Sequence, residues 1–341
     1  MNYTIISIAL LLITSPIFSQ TDSAEYFFQK GLQEKQNGRR LESLKNFEKA
    51  QKFATPSKEL VAELAFAYFD LRKYFLAKEN FKKLTDMGDE SAANYKQLLT
   101  LSFNLKQNDD VIIYAAKLKK ADPTEKVSYY IGKVNYNMDN YGEAIKHLTI
   151  AAKEEPQNAE VPYMIAHSYA DMLNYKQAIP YFLKAIELDS SKYYWIYELG
   201  LIYYAMHDDK NSLKYIIEAG EKGYNKDNDY LENLGIAYLN AGNLEEGVKI
   251  LGEILKRKPS DLNILNMIAE AYYYKGKYRE AIEYWDQVMS YDKGNAAALY
   301  MIGMSYQKSG EKEKGITLCD KAIEMDPALA SYKQKRMNLG L

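Results

Sequence analysis

Histidine and cysteine are the residue types most able to do chemistry here, and their spacing matches no common reaction. His147, His167 and His207 form no HExxH or comparable metal-ligand pattern. The single cysteine, Cys319, excludes an internal disulfide and a thiolate cluster, and its position favours a small buried apolar residue. The chain has no GxSxG, GxxxxGKS/T or GxGxxG motif, so nucleophile elbows and phosphate-binding loops are absent. We therefore expect no catalytic residue, no metal and no cofactor.

Two acidic patterns remain as chemical candidates. The stretch DNDYLE, residues 227–232, superficially suggests a calcium loop, but it lacks the glycine of such a loop and has the wrong spacing. Glu232 and Glu270 could act as paired carboxylates in an enzyme, although such pairs are common at binding surfaces without catalysis. The sequence thus favours a protein that is not an enzyme.

Composition indicates a folded chain with no preference for nucleic acid. Of 341 residues, 47% are hydrophobic and 26% are charged, which is too apolar for disorder. The formal net charge is −2, without the basic bias that phosphate binding needs. Tyrosine is unusually frequent, with 32 residues. The position of these tyrosines therefore decides the functional interpretation.

The first twenty residues, MNYTIISIALLLITSPIFSQ, carry no charged side chain. An apolar run from Ile5 to Ile13 is followed by Pro16 and by the small residue Ser19, a pattern typical of a cleaved secretory signal. The run is too short to span a bilayer. We predict a signal peptide at residues 1–19 and a mature, periplasmic or extracellular chain that is not an integral membrane protein, with an uncleaved anchor as the alternative. The Ile-, Lys-, Asn- and Tyr-rich composition suggests a bacterial source.

A period of 34 residues runs through the rest of the chain. Small residues mark it, with one double-length interval, at Gly31, Ala65, Gly132, Ala166, Gly200, Gly235, Ala269 and Gly303. Sixteen positions after most of them comes a large residue: Phe47, Phe81, Leu148, Phe182, Leu251 or Trp285.

With these residues the chain resembles the tetratricopeptide repeat family. The seventh copy shows the resemblance clearly, with Leu231, Leu234, Gly235, Tyr238, Gly247, Leu251 and Pro259. The resemblance covers residues 24–329 and implies an all-α fold, a right-handed α-solenoid of about nine helix-turn-helix repeats in one domain, 20–341. The predicted copies span residues 24–57, 58–90, 91–124, 125–158, 159–192, 193–227, 228–261, 262–295 and 296–329. A polar capping helix is expected at residues 330–341.

Positions 4, 7, 8 and 11 of each first helix share one stripe and should pack against neighbouring helices. The same reasoning makes Tyr278, Ala281 and Trp285 packing residues. Three departures from the pattern are notable. The third copy lacks the small residue and should pack loosely, Gly220 and Gly223 interrupt the sixth copy, and Pro180 should bend its helix. The first two places are predicted hinges.

Positions 2, 5, 9 and 12 of each first helix form the opposite stripe, which in tetratricopeptide proteins lines a concave groove. With one neighbouring residue at position 13, the resemblance places the predicted binding residues there: Tyr129, Lys133, Tyr136, Tyr163, His167, Asp171, Tyr194, Tyr197, Tyr204, Glu232, Asn266, Glu270, Tyr273 and Tyr300. Tyrosine suits a binding surface because it offers rigid apolar area and a hydroxyl. These side chains could instead only pack on the next repeat. The family's carboxylate clamp, Lys at position 5 with Asn at position 9, occurs in no copy.

The leading hypothesis is a non-enzymatic interaction scaffold of the cell envelope that binds a peptide or partner protein in its concave face. One alternative is a carbohydrate-associated protein, because tyrosine faces with Asn, Asp and Glu suit sugars. Another is a self-assembling solenoid in which the third copy mediates dimerisation.

Overall fold

The structure is a computed structural model that describes residues 17–331, with side chains from residue 22 onward. Residues 1–16 of the predicted signal peptide and residues 332–341 of the predicted capping helix lie outside the described residues. The helices are α1 (Ile17–Gln36), α2 (Arg40–Phe53), α3 (Lys58–Asp70), α4 (Tyr74–Asp86), α5 (Ala92–Asn104), α6 (Asn108–Ala121), α7 (Ser128–Asn137), α8 (Tyr141–Glu154), α9 (Glu160–Asp171), α10 (Tyr175–Leu188), α11 (Tyr193–Ala205), α12 (Asp209–Glu221), α13 (Asn228–Asn240), α14 (Leu244–Arg257), α15 (Leu262–Tyr274), α16 (Tyr278–Tyr291), α17 (Ala296–Ser309) and α18 (Lys312–Met325). A 3₁₀ turn, Pro327–Leu329, follows α18, and no strand occurs within residues 17–331.

The helices pack in consecutive pairs, which confirms the predicted all-α repeat fold. From the second copy to the ninth, the predicted start lies within three residues of the first helix of a pair. Polar side chains cap several of these first helices by accepting a hydrogen bond from a backbone N–H three residues on, including Ser57, Ser91, Asp227, Asp261 and Asn295.

The chain forms two compact units, which divide between Ser168 and Tyr169 within α9. In the first unit, α1 to α8 form four pairs, and the second helix of each of the first three pairs contacts the first helix of the next. In the second unit, α11 to α18 form four more pairs with the same contacts between neighbours. The prediction of a single domain at residues 20–341 stays a prediction.

The repeated small residue allows the two helices of a pair to approach closely. A Cβ atom added at Gly132 would lie 2.7 Å from Leu148 Cγ, and one added at Gly235 would lie 2.6 Å from Leu251 Cγ. Both distances are too short for carbon atoms, so only glycine fits without movement. The small residue was predicted to pack against a neighbouring helix, and at these positions that helix is the second helix of the same copy, which contributes the large residue.

The third copy reverses the small and large positions instead of leaving a gap. Leu99 is the eighth residue of α5, where most other copies have Gly or Ala, and Ala115 is the eighth residue of α6, where most others have Phe, Leu, Ile or Trp. Both side chains are buried, at 1% and 0% exposure. This exchange keeps the summed volume of the two facing side chains similar to that in the other copies. The third copy was expected to pack loosely, but neither of these two core residues is exposed.

The two other departures have local structural consequences. Gly220 packs under Tyr230, because a Cβ atom there would lie 2.7 Å from Tyr230 Cζ. Gly223 has a φ of +106°, which suits glycine and lets the chain turn after α12. Pro180 is accommodated inside α10, which continues past it to Leu188. The predicted hinges and the predicted bend stay predictions.

The turn inside each pair contains one residue with positive φ in all nine copies. These residues are Gly38, Arg72, Lys106, Asp139, Leu173, His207, Gly242, Gly276 and Gly310. A left-handed conformation costs an L-residue about 1–2 kcal/mol, and glycine avoids this cost.

Replacing Leu173 with Gly should therefore stabilise the protein. Leu173 has a φ of +59° and a side chain that is 73% exposed, so the change relieves strain and sacrifices little packing. We expect the free energy of unfolding to rise by about 0.5–1 kcal/mol, after allowance for the greater freedom of glycine in the unfolded chain. Urea unfolding followed by circular dichroism measures the change. The reverse substitution, Gly276→Leu, is the control and should lower stability; a rise there, or a loss with Leu173→Gly, would contradict the prediction.

Candidate binding site

In the first unit, Lys133 of α7 forms a bridge to α9. Its Nζ donates hydrogen bonds to both Glu160 carboxylate oxygens at 2.9 Å and to the Tyr129 hydroxyl at 3.0 Å. The Tyr129 hydroxyl in turn donates to Glu160. Burial lowers the pKa of Lys133, but its hydrogen bonds to Tyr129 and Glu160 outweigh that effect and leave the pKa above its ordinary value. A ligand carboxylate would have to displace Glu160 to reach this cation.

A second group of aromatic side chains lies on the same two helices of the first unit. The His167 ring meets the Tyr136 ring edge-on at 5.7 Å between centroids and the Tyr163 ring at 5.8 Å. Both tyrosines and the histidine are partly buried. Five of the predicted binding residues thus lie on α7 and α9 in two groups of contacts, Tyr129 and Lys133 around Glu160, and Tyr136 and Tyr163 around His167. All five side chains are partly buried, so much of their surface is used in packing. The predicted residue Asp171 is exposed at the end of α9, beyond the division between the units.

In the second unit, Tyr197 lies in the packed interior, which corrects its predicted place on an open groove. Only 7% of Tyr197 is exposed. Its ring stacks on Tyr224 at 4.1 Å between centroids, and its hydroxyl accepts a hydrogen bond from Asn233 Nδ2 at 2.8 Å. The chain after α12 carries one extra residue and places Tyr224 over Tyr197, so the stripe is covered there.

The burial of Tyr197 predicts a pH dependence of stability. Burial raises the pKa of Tyr197 to about 12, against about 10 in the unfolded chain. A raised pKa means that the folded state prefers the neutral hydroxyl, so this contribution is complete below pH 10 and is lost as the pH rises through 12. The Tyr197→Phe variant should be less stable than the parent by about 1 kcal/mol at pH 8, because Asn233 loses its acceptor. At pH 11.5 the difference should vanish or reverse. Urea unfolding at both pH values measures it, and an unchanged difference would contradict the prediction.

Tyr300 is a second predicted groove residue that the structure buries. It is 7% exposed and lies in a core cluster with Leu299, Ala322 and Leu329. Its backbone carbonyl faces Cys319 Sγ at 3.5 Å. Cys319 is itself 5% exposed, which confirms its interpretation as a small buried apolar residue. Neither Tyr197 nor Tyr300 has the exposure of a contact residue.

An open cavity lies along the first helices of the second unit. It has a volume of about 330 Å³, within the range of ligand pockets. Its lining comes mainly from α11, α13 and α15, with Leu244 at the start of α14 and Lys275 just after α15, and it includes Tyr204, Ile236, Met267, Glu270 and Tyr274. We call this cavity the second-unit groove. Two of its lining residues, Tyr204 and Glu270, belong to the predicted binding set, and the others do not.

The polar and apolar parts of the second-unit groove are distinct. Tyr204 and Tyr274 are 43% and 79% exposed, so their rings offer apolar area to a ligand. Loss of water around the Glu270 carboxyl raises its pKa. Lys275, directly after the end of α15, is the cation that reaches the groove. The arrangement suits a ligand with an apolar group and a charged or hydrogen-bonding group.

The other predicted residues of the second unit differ in availability. Tyr273 is partly buried and meets the Trp285 ring edge-on at 5.9 Å, so it packs. Tyr194 is 40% exposed. Glu232 precedes Ile236 by four residues and Asn266 precedes Glu270 by four, so each lies on the groove side of its helix.

Sequence reasoning missed Met267, Tyr274 and Lys275. They occupy positions 6, 13 and 14 of their copy, outside the predicted stripe. The run of three tyrosines at residues 272–274 is the signal that could have drawn attention to this helix end.

The acidic stretch at residues 227–232 starts a helix. The Asp227 carboxylate caps α13 by accepting a hydrogen bond from the Tyr230 backbone N–H at 3.0 Å. Within residues 17–331, no three His, Cys, Asp or Glu side chains are grouped closely enough to hold a metal ion. Over the same residues, no helix combines the length and the apolar character needed to cross a membrane.

Comparisons with known proteins agree with the helical pairs. Two sequence models of the tetratricopeptide repeat match residues 266–330 and 159–192. No curated protein matches the chain. These two segments are therefore tetratricopeptide repeats, and the other helix pairs of the described residues have the same helix-turn-helix form. Proteins with such repeats are generally interaction scaffolds without catalytic activity.

Several solved structures are similar to the chain. YrrB, described as a tetratricopeptide repeat protein with an unusual peptide-binding site, is 24% identical and covers 55% of this chain and 97% of its own, with a TM-score of 0.44. The C-terminal part of a repeat protein from Cytophaga hutchinsonii is 17% identical over 81% of this chain and 99% of its own, with a TM-score of 0.48. PilF of Pseudomonas aeruginosa is 17% identical over 62% of this chain and 96% of its own, with a TM-score of 0.41. All three TM-scores lie below 0.5.

Proposed function

We propose that this protein is a binding scaffold of the bacterial cell envelope and that its second-unit groove holds a segment of a partner protein. The observation that carries the proposal is the exposed apolar surface of Tyr204 and Tyr274, which both line a cavity of about 330 Å³. Rigid aromatic side chains of this kind are frequent anchors at protein interfaces.

Peptide selection tests the proposal directly. The chain from Gln20 would be immobilised, and a phage library displaying random peptides of twelve residues would be selected against it. Selected peptides should bind with a Kd in the micromolar range, measured by fluorescence anisotropy. The double variant Tyr204→Ala with Tyr274→Ala should weaken this binding at least tenfold, because it removes the two exposed aromatic rings that line the groove.

The matched control removes exposed apolar side chains elsewhere in the second unit. Tyr291 of α16 and Ile316 of α18 are 52% and 48% exposed and do not line the groove. The variant Tyr291→Ala with Ile316→Ala should bind the selected peptides as the parent does. Failure to select any peptide, or equal weakening by both double variants, would overturn the proposal.

Location in the envelope is supported by the uncharged, apolar N-terminal segment. A fusion of residues 1–30 to alkaline phosphatase that lacks its own signal should be active, because that enzyme forms its disulfides outside the cytoplasm. The variant Leu11→Arg with Leu12→Arg should be inactive, since charges interrupt the apolar run. An inactive parent fusion would overturn this part of the proposal.

A further inference from the structure

Basic residues are distributed unevenly between the two helices of three pairs in the second unit. The three helices that line the second-unit groove, α11, α13 and α15, carry no Lys or Arg. Their charged residues are all acidic: Glu198, Asp229, Glu232 and Glu270. The paired helices α12, α14 and α16 carry six basic residues among nine acidic ones, so the two sets of helices differ in the presence of cations and hardly in net charge. The groove-forming helices therefore contribute acidic charge without an internal cation, and Lys275, directly after α15, is the one cation among the lining residues of the groove.

Two of these acids lie on the groove and lack a cation of their own. Glu270 lines the cavity, and Glu232 precedes the lining residue Ile236 by one helical turn. No Lys or Arg within residues 22–331 forms an ion pair with either carboxylate. Glu160 of the first unit differs, because its carboxylate forms an ion pair with Lys133, with 2.9 Å between Glu160 Oε1 and Lys133 Nζ.

A carboxylate beside apolar walls interacts more strongly with a cation than one in bulk water does. The second-unit groove places Glu270 in this situation, with Ile236, Met267 and Tyr274 around the same cavity. A ligand that brings an apolar group and a cation together would satisfy both parts of the groove. A ligand acid would meet repulsion from Glu232 and Glu270, and Lys275 is the one cation among the lining residues with which it could pair.

We propose that the second-unit groove selects protein segments in which a Lys or Arg side chain stands next to a large apolar side chain. The apolar side chain packs against Ile236, Met267 and Tyr274, and the cation pairs with Glu270 or Glu232. This proposal rests on the proposed function, because it specifies the chemistry of the segment that the same groove binds.

The composition of selected peptides tests the chemistry. Library selection in 50 mM NaCl should enrich Lys and Arg next to Leu, Ile, Met, Phe, Tyr or Trp. Selection against the double variant Glu232→Gln with Glu270→Gln should still enrich the apolar residues and should lose the enrichment of Lys and Arg. The control is Glu283→Gln with Glu313→Gln, which removes the same charge from exposed positions on α16 and α18 and should behave as the parent does.

The affinity of one selected peptide then measures how much the two carboxylates contribute to binding. Glu232→Gln with Glu270→Gln should weaken its binding about tenfold in 50 mM NaCl, and replacement of its Lys or Arg by Met should do the same. Both effects should shrink in 500 mM NaCl because salt screens partly exposed charges.

The outcomes separate this proposal from the proposed function. Peptides enriched only in apolar or acidic residues, with no effect of the glutamine variant, would overturn the selectivity and leave the groove a peptide site. Basic peptides that bind equally well after Tyr204→Ala with Tyr274→Ala would show attraction to charge outside the groove and overturn the selectivity as well. Selection of no peptide at all would overturn both proposals.

Discussion

Replacement of Trp285 by Ala should lower the free energy of unfolding of the second unit by about 3–5 kcal/mol. Trp285 is 1% exposed and belongs to a buried cluster with Leu265 of α15, Ile282 of α16 and Ile302 of α17. Because three helices from two copies meet at this side chain, the neighbours cannot close around the space that the indole would leave. The lost burial and the remaining cavity both contribute to the expected effect.

The control for this prediction lies in the same helix pair. Tyr274 is also a large aromatic residue, but it is 79% exposed, so Tyr274→Ala should change stability by no more than about 0.5 kcal/mol. Trp285→Phe keeps an aromatic ring in the cluster, so its loss of stability should lie between those of Trp285→Ala and Tyr274→Ala. Urea unfolding of the chain from Gln20, followed by circular dichroism at 222 nm, measures all three. A loss below about 1 kcal/mol for Trp285→Ala would show that the cluster repacks and would contradict the prediction.

The role of Trp285 could be predicted because a repeat places equivalent positions in equivalent surroundings. Trp285 is the eighth residue of its helix, as are Phe81, Leu148 and Leu251 of theirs. All of these side chains are at most 1% exposed. A large residue that recurs at the same position of the repeat is therefore a core packing residue, and the period of the sequence was enough to predict this role.

The third copy shows where such a pattern stops being informative. A search for the small residue at the eighth position of the first helix finds Leu99 and predicts a defect. Packing depends on the summed volume of the two facing positions, and Ala115 compensates for Leu99 in the second helix. The sequence contained both residues, but only their juxtaposition shows that they form a pair.

The candidate site was predictable only in part, because spacing gives the face of a helix and not what covers that face. Tyr204 and Glu270 were placed on the groove side and line the cavity. Tyr197 was placed on the same stripe, but the segment after α12 brings Tyr224 over it. Tyr274 was missed because the cavity extends around the end of α15, beyond the regular stripe.

Alanine at two glycine positions should change stability in opposite directions, although both glycines lie inside helices of the second unit. Gly303 of α17 faces α18, and a Cβ atom there would lie 2.7 Å from the Gly315 carbonyl oxygen and 2.9 Å from the Cys319 backbone nitrogen. Backbone atoms cannot rotate away as a side chain can, so the two helices must separate. We expect Gly303→Ala to lower the free energy of unfolding by about 1–3 kcal/mol.

Gly252 of α14 has no atom within 4 Å of an added Cβ apart from its chain neighbours and the nearby backbone of its own helix. Alanine favours a helix over glycine by about 0.5–1 kcal/mol, so Gly252→Ala should raise stability by that amount. The same gain in helix propensity applies at Gly303, and the difference between the two variants therefore isolates the contact between α17 and α18. Urea unfolding of both variants beside the parent measures this difference. A gain at both positions would mean that the close approach of α17 and α18 is not needed for stability, whereas opposite signs would show that the small residue of the repeat is required by packing between the helices of a pair.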